Sequence, residues 1–207
     1  MFGILAFGDS ITLGRGIQPN TGWVDKLKNY FESKDCFNVV YNLGVPGDSS
    51  TDLLKRFETE AKARIQYYHP DNRFIILIGI GTNDCYAYGN PNNIQTSPIK
   101  FKENIDKIVN IAKKFTDYVV LIGIPPVDEN SLPFEGAYYS NKDINNLNSV
   151  LKGVADSNNL FYCEIYDEFT KQDYLKLLGD PVHPNEEGYN FMYQTIKNFL
   201  IDKKLID

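Results

Sequence analysis

Histidine is scarce in this chain, with only His69 and His183 among 207 residues. Any chemistry that needs an imidazole therefore has two places to look. Cysteine is nearly as rare. Cys36, Cys85 and Cys163 are odd in number and widely spaced, which excludes a disulfide framework and zinc-type pairs. They read as reduced thiols, and a cytoplasmic location is the expectation. No stretch approaches the run of about 20 apolar residues that crosses a bilayer, so no integral membrane contact is expected. Met1 leads straight into a strand pattern with no basic region before it, unlike a signal peptide. Basic excess is absent too: 21 Lys and Arg stand against 27 Asp and Glu, for a net charge of -6. That balance argues against a nucleic-acid surface, which needs clustered cations. Neither Gly-x-x-x-x-Gly-Lys-[Ser/Thr] nor Gly-x-Gly-x-x-Gly occurs, which weakens a phosphate-cradling reading.

What is present is an alternation of strand and helix patterns without repeats or low-complexity linkers. The length suits one α/β domain spanning 1–207. Apolar runs at residues 3–7, 37–43, 74–78, 118–122 and 160–165 predict five strands, the last weaker and at an edge. Helical spacing follows each of them. Trp23, Leu27, Tyr30 and Phe31 open a helix near Gly22. Leu54, Phe57, Ala61, Ile65 and Tyr68 mark a second. Ser97-Pro98 is a cap with proline at the first helical position, ahead of Phe101, Ile105, Ile108, Ala112 and Phe115. Residues 145–155 predict a further helix, 174–178 a short one, and Tyr189 to Leu200 the last. Strands each followed by a helix imply a parallel sheet with helices on both faces. The segments after the strands then share one rim, where open α/β sheets bind ligands. Residues 85–96 and 126–140 read as loops on that rim.

Four turns on the rim carry residues that could do chemistry. The first strand ends in Gly8-Asp9-Ser10. A serine hydroxyl needs a base before it becomes a nucleophile. His69, at the end of a helix on the far side of the sheet, reads as a surface or helix-terminal cation. His183 lies before the last helix, three residues after Asp180, a spacing that lets the carboxylate reach the imidazole and hold its tautomer. The same segment also reads as a capping turn built on Asp180 or Asn185. Donors for an oxyanion could come from the Ser10 and Gly44 backbone and the Asn83 amide, although an Asn in a turn also serves turn geometry. Two other readings compete. One is a non-catalytic flavodoxin-like module binding phosphate or nucleotide; the other is metal-assisted hydrolysis by Asp9, Asp84 and His183, for which ligand spacing is missing.

Gly8-Asp9-Ser10, Gly44 within Asn42-Leu43-Gly44-Val45-Pro46-Gly47, Asn83 within Gly81-Thr82-Asn83-Asp84, and Asp180-Pro181-Val182-His183 resemble the four blocks of the SGNH (GDSL-type) hydrolases. They fall in that family's order over residues 8–184, with Ile11 where the family name has Leu. The resemblance implies a three-layer α/β/α, flavodoxin-like sandwich with a five-stranded parallel sheet. It implies a serine ester hydrolase with Ser10 as nucleophile, His183 as base and Asp180 as its orienter. Ser10, Gly44 and Asn83 would form the oxyanion hole. The family brings no metal or organic cofactor, and Asp9 and Asp84 would hold turns. The reaction expected is attack by Ser10 on an ester, then hydrolysis of the acyl-enzyme, with a rate that falls in acid as the imidazole protonates.

The partner expected is a small-molecule ester, an acylated carbohydrate or a lipid. Tyr86, Tyr88, Phe134 and Tyr138 on the two rim loops are the candidate substrate-binding residues. The loops lack a long apolar lid, which favours a short acyl group such as acetyl. A lysophospholipase or thioesterase acting on longer chains is the alternative within the family. Cys85 beside the Asn83 turn reads as a packing residue. Oligomeric state is not legible.

Overall fold

The computed structural model describes residues 2–19, 21–65 and 72–207. His69, and Tyr68 of the predicted second helix, lie outside the described residues. In chain order the elements are β1 (Phe2–Gly8), α1 (Ser10–Leu13), α2 (Trp23–Glu32), β2 (Val39–Gly44), α3 (Ser50–Ile65), β3 (Arg73–Gly79), β4 (Ala87–Tyr88), α4 (Pro98–Ala112), β5 (Tyr118–Ile122), β6 (Ala137–Tyr138), α5 (Asn141–Asn158), β7 (Phe161–Cys163), α6 (Tyr166–Thr170) and α7 (Glu186–Asp202). Single 3₁₀ turns occupy Thr82–Asp84, Glu129–Ser131 and Tyr174–Leu177.

Five strands form a parallel sheet in the order β2-β1-β3-β5-β7. This is the doubly wound, flavodoxin-like arrangement, whose strand order reverses between the first and third strands. The pleat alternates side chains between faces, and two cores result. Leu5, Phe7, Ile76, Ile78 and Leu121 pack with Leu53, Phe57, Phe101, Ile105 and Leu151, under α3, α4 and α5. Ile4, Ala6, Ile75, Leu77 and Val120 pack with Trp23, Leu27, Met192, Ile196 and Leu200, under α2 and α7. The sandwich therefore has three layers. Each large aliphatic side chain fully buried there contributes about 1.5–3 kcal/mol.

Local chemistry sets the helix starts. The Ser97 hydroxyl accepts from the Lys100 N–H, with Pro98 as the first helical residue of α4. Asn185 caps α7 by accepting from the Gly188 N–H. Two strands are shorter than predicted. Asp35 closes a turn on the N–H groups of Phe37 and Asn38, so β2 begins only at Val39. At β7 the Leu160 N–H closes the end of α5 on the Ala155 carbonyl, and Ile165 is the cap of α6.

The two predicted rim loops meet in a second, antiparallel sheet. Ala87 pairs with Tyr138, and Tyr88 with Ala137. Two-residue strands from segments some fifty positions apart leave no periodicity to read, so the sequence pattern marks them only as loops. No helix among the described residues is long and apolar enough to cross a membrane.

Candidate active site

Ser10 is the first residue of the one-turn helix α1, at the carboxyl end of the central strand β1. Asp9 caps that turn, its Oδ1 accepting from the Ile11 N–H at 2.9 Å. Ser10 is buried but for 8% of its surface. Its Oγ lies 2.9 Å from Nε2 of His183. On the other side of the ring, Nδ1 lies 2.8 Å from Oδ2 of Asp180 and 3.1 Å from its Oδ1. A carboxylate only accepts, so Nδ1 carries the ring proton and Nε2 is left to accept from the serine hydroxyl.

Asp180 is anchored by more than the imidazole. Its Oδ1 accepts the backbone N–H groups of Val182 and His183 at 2.8 and 2.7 Å. Burial alone would raise this carboxyl, but the His183 ring and these two N–H groups outweigh it and hold it below the usual range. The segment is tied at its ends as well, by Gly179 N–H to the His183 carbonyl, 2.9 Å, and Asp128 N–H to the Pro181 carbonyl, 2.9 Å. The competing readings from sequence thus coexist. Asp180 organises the turn and faces the imidazole, while Asn185 caps the next helix.

The expected oxyanion donors divide. Asn83 lines the pocket that holds Ser10 and His183, and its amide nitrogen donates one hydrogen to the Asp48 carbonyl at 3.0 Å. Gly44 does not line that pocket. Its N–H is given to Asn42 Oδ1 at 3.1 Å, and its Cα packs so close to the backbone of Asp9 and Leu13 that a Cβ would overlap both. Gly44 is therefore a close-packing glycine beneath α1, and the expectation that it faces the substrate is corrected. The glycine on the pocket wall is Gly47. It has φ +83°, and Asp48 N–H returns to the Val45 carbonyl at 3.2 Å. That is the Pro-Gly pattern of a type II turn, which needs a positive φ at its third residue. The Pro46-Gly47 dipeptide was the available signal.

Below the rim, buried acids hold the turns. Asp84 accepts from the Ser50 N–H at 2.8 Å and from the Ser50 hydroxyl at 2.6 Å, tying the Asn83 turn to the start of α3. Asn104 supports the same hydroxyl at 2.9 Å. Arg56 joins Asp48 (2.7 Å) to the Gly8 carbonyl (3.0 Å), so the Gly47 turn is fixed to the end of β1. Asp9 Oδ2 and the Trp23 indole N–H are buried without protein partners, and both residues line one cavity of ≈ 20 Å³ behind the Ser10 turn. Burial lifts the Asp9 carboxyl to about 7, against the pull of the Ile11 N–H and of His183. Among the described residues no group of three His, Cys, Asp or Glu side chains is arranged to hold a metal ion. Asp84, the second acid of the metal reading, is spent on Ser50.

The pocket over Ser10 has a volume of ≈ 370 Å³ and is walled by Arg15, Gly47, Asn83, Tyr86, Phe134, Glu135, Ala137, Tyr139, Asp180 and Val182. Of the four expected substrate residues, Tyr86 and Phe134 are there and Tyr88 and Tyr138 are not. The small sheet explains the division. Tyr86, Ala137 and Tyr139 fall on one face by alternation, and Tyr138 falls on the other. Tyr88 shares the inner face but sits at its outer end, 63% exposed, beside Gly136. Tyr139, its ring 6.2 Å from that of Tyr86, takes the inner position. Arg15 and Glu135 carried no motif or periodicity to mark them. Cys85 is buried in the core.

A doubly wound sheet with serine, histidine and aspartate in hydrogen-bond sequence at its carboxyl edge defines a serine hydrolase. The chain belongs to the GDSL-like lipase/acylhydrolase family, whose profile matches residues 6–191, and it is a serine ester hydrolase. Among solved structures it is similar to the lipase/acylhydrolase from Enterococcus faecalis, at 25% identity over 98% of this chain and 97% of that one, with a TM-score of 0.77. A member of the lipolytic protein G-D-S-L family from Veillonella parvula is 21% identical over 96% of this chain and 97% of its own, TM-score 0.74. Axe2, an acetylxylan esterase from Geobacillus stearothermophilus, is 20% identical over 95% of this chain and 92% of its own, TM-score 0.75. No curated protein sequence matches the chain.

Proposed function

We propose that the chain acts as one catalytic domain that hydrolyses a short-chain carboxylic ester of a polar alcohol, an acetylated carbohydrate above all, through an acyl-enzyme on Ser10. The observation that carries this reading is the continuous Ser10–His183–Asp180 contact, 2.9 and 2.8 Å, opening into a mostly polar pocket. His183 takes the Ser10 proton as Oγ attacks the carbonyl carbon, and Asp180 stabilises the imidazolium that forms. The tetrahedral oxyanion is met by the Ser10 and Gly47 N–H groups and by the second amide hydrogen of Asn83. Donors held in place before the reaction need no reorganisation as charge develops. Collapse expels the alcohol, which receives the proton from His183. Water, deprotonated by the same imidazole, then releases the acid.

The size of the acyl group follows from the walls. Side chains without a polar atom are limited there to Phe134, Ala137 and Val182, which favours acetyl over a long chain. Polar side chains dominate the remainder and suit an alcohol rich in hydroxyls. The acetylxylan esterase that shares this fold agrees with that reading. Exposed, unpaired Cys36 suits a reducing compartment.

Hydrolysis of p-nitrophenyl esters from acetyl to palmitoyl, by wild type and Ser10→Ala side by side, tests the reading. Activity is expected to fall with chain length and to drop at least about 10³-fold in Ser10→Ala. Equal activity of the two proteins would remove Ser10 as the nucleophile. A preference for long chains would move the substrate to lysophospholipids or acyl thioesters.

A further inference from the structure

Glu135 lines the same pocket as Ser10 and His183, and the chain holds it in a conformation that its side chain does not favour. Phe134 and Ala137 exchange both backbone hydrogen bonds at 2.9 Å, closing a two-residue hairpin on Glu135 and Gly136. Both residues have positive φ, +50° and +80°. Hairpins of this kind require positive φ at the two central positions and select Asn, Asp or Gly there. Gly136 obeys that rule. Glu135 breaks it, a conflict between local preference and fold that is concentrated at functional sites.

The turn is rigidly mounted. The Gly89 N–H donates to the Gly136 carbonyl at 3.2 Å, and β4–β6 pairing joins the hairpin to Tyr86, so the carboxylate rides on a braced element. Glu135 is exposed at the pocket mouth and forms no ion pair among the described residues. Arg15, which lines the same pocket, forms none either. An anion and a cation that share a pocket without engaging each other present acceptors and donors to whatever enters. A carboxylate accepts from two neighbouring hydroxyls at once, and a guanidinium donates to ring and hydroxyl oxygens.

We propose that Glu135 is a specificity-determining residue, its carboxylate accepting hydrogen bonds from adjacent hydroxyls of the alcohol half of the ester, so that the enzyme selects esters of sugars over esters of simple alcohols. This deepens the esterase reading above and rests on it for the placement of the alcohol half. Tyr86 and Tyr139 flank the same space and offer ring faces to the sugar's C–H surface. Glu135 acts on choice of substrate, and the reacting atoms remain with Ser10 and His183.

The test compares Glu135→Asn with Glu135→Asp. Both side chains suit a positive-φ turn position, and only one retains the charge. The first readout is the ratio of kcat/KM for an acetylated methyl xyloside to that for p-nitrophenyl acetate. The expectation is a fall of about 10-fold or more in Glu135→Asn, with Glu135→Asp closer to wild type. Both variants should melt higher, by about 2–4 °C, since strain is relieved. The second readout needs no catalysis: chemical-shift titration with unacetylated methyl β-D-xylopyranoside, against wild type and Glu135→Asn. Shifts at pocket residues that weaken in Glu135→Asn support the proposal. A sugar-to-aryl ratio at the wild-type value in Glu135→Asn, with only the melting temperature changed, would overturn it and leave Glu135 a turn residue. Equal glycoside binding by the two proteins would overturn it as well. If Ser10→Ala keeps its esterase activity, the catalytic reading fails, while the glycoside titration still decides whether Glu135 holds hydroxyls.

Discussion

Asp9 shows how much one buried carboxylate controls at this site. It caps the Ser10 turn, is 1% exposed, and has one oxygen without a protein partner. Its carboxyl is raised to about 7. Between about pH 4 and pH 7 the folded protein therefore holds a proton that the unfolded chain has released. Stability falls as pH rises through that window, and the cost of the buried charge is fully present above it. Asp9→Asn keeps an oxygen for the Ile11 N–H and removes the charge. Its melting temperature should exceed that of wild type at pH 8 by about 5 °C, corresponding to roughly 2 kcal/mol in a chain of this length. The difference should shrink toward zero at pH 4. An equal difference at both pH values would show that the charge is not the cause.

At the scale of elements, two glycines three positions apart, one ending β2 and the other in the turn that follows, have opposite duties. A Cβ on Gly44 would stand 2.7 Å from the Asp9 carbonyl oxygen and overlap the Leu13 nitrogen. Neither backbone group can yield without moving α1. Gly44→Ala should lower the melting temperature by about 5 °C or more. A Cβ on Gly47 meets nothing within 4 Å, so only its φ of +83° resists, a cost of about 1–2 kcal/mol. Relaxing the turn to relieve that strain would displace the Gly47 N–H, the proposed oxyanion donor. Gly47→Ala should therefore lose at least about 10-fold in kcat at a temperature where it is fully folded. Wild-type kcat in that variant would mean that the oxyanion is met without Gly47. Both glycines stand in one sequence block, and the reading of the turns and the resemblance alike take Gly44. Separating them required knowing that Asn42 Oδ1 occupies the Gly44 N–H.

Across the whole molecule, reactivity follows the layering. Cys36 is exposed, whereas Cys85 and Cys163 lie in the two cores on opposite faces of the sheet. Burial pushes both buried thiols well above the usual cysteine range. Iodoacetamide on the folded enzyme should give a single adduct, at Cys36, with esterase activity retained. Two further adducts should appear only in denaturant, after the sandwich opens. A rapid second adduct with loss of activity would place Cys85 within reach of the pocket.

Much of this is legible in the amino-acid sequence. Apolar runs such as Phe74–Ile78 and the Ser97-Pro98 start are local signals, since strand burial and helix capping depend on neighbours in the chain. Asp180 and His183 were legible for the same reason, their three-residue spacing being short enough for one side chain to reach the other. Ser10 became a candidate because it ends a central strand, where the topology of parallel sheets gathers turns. What tertiary structure alone decided is contact between distant segments. It set Gly47 on the wall and Gly44 under α1, because packing against Asp9 and Leu13 depends on a register no local pattern encodes. It paired β4 with β6, turning Tyr139 inward and Tyr138 away, and it brought Arg15 and Glu135 to one pocket. Two exposed charges 120 positions apart leave no trace of each other in the sequence; only the fold of the chain between them makes them neighbours of Ser10.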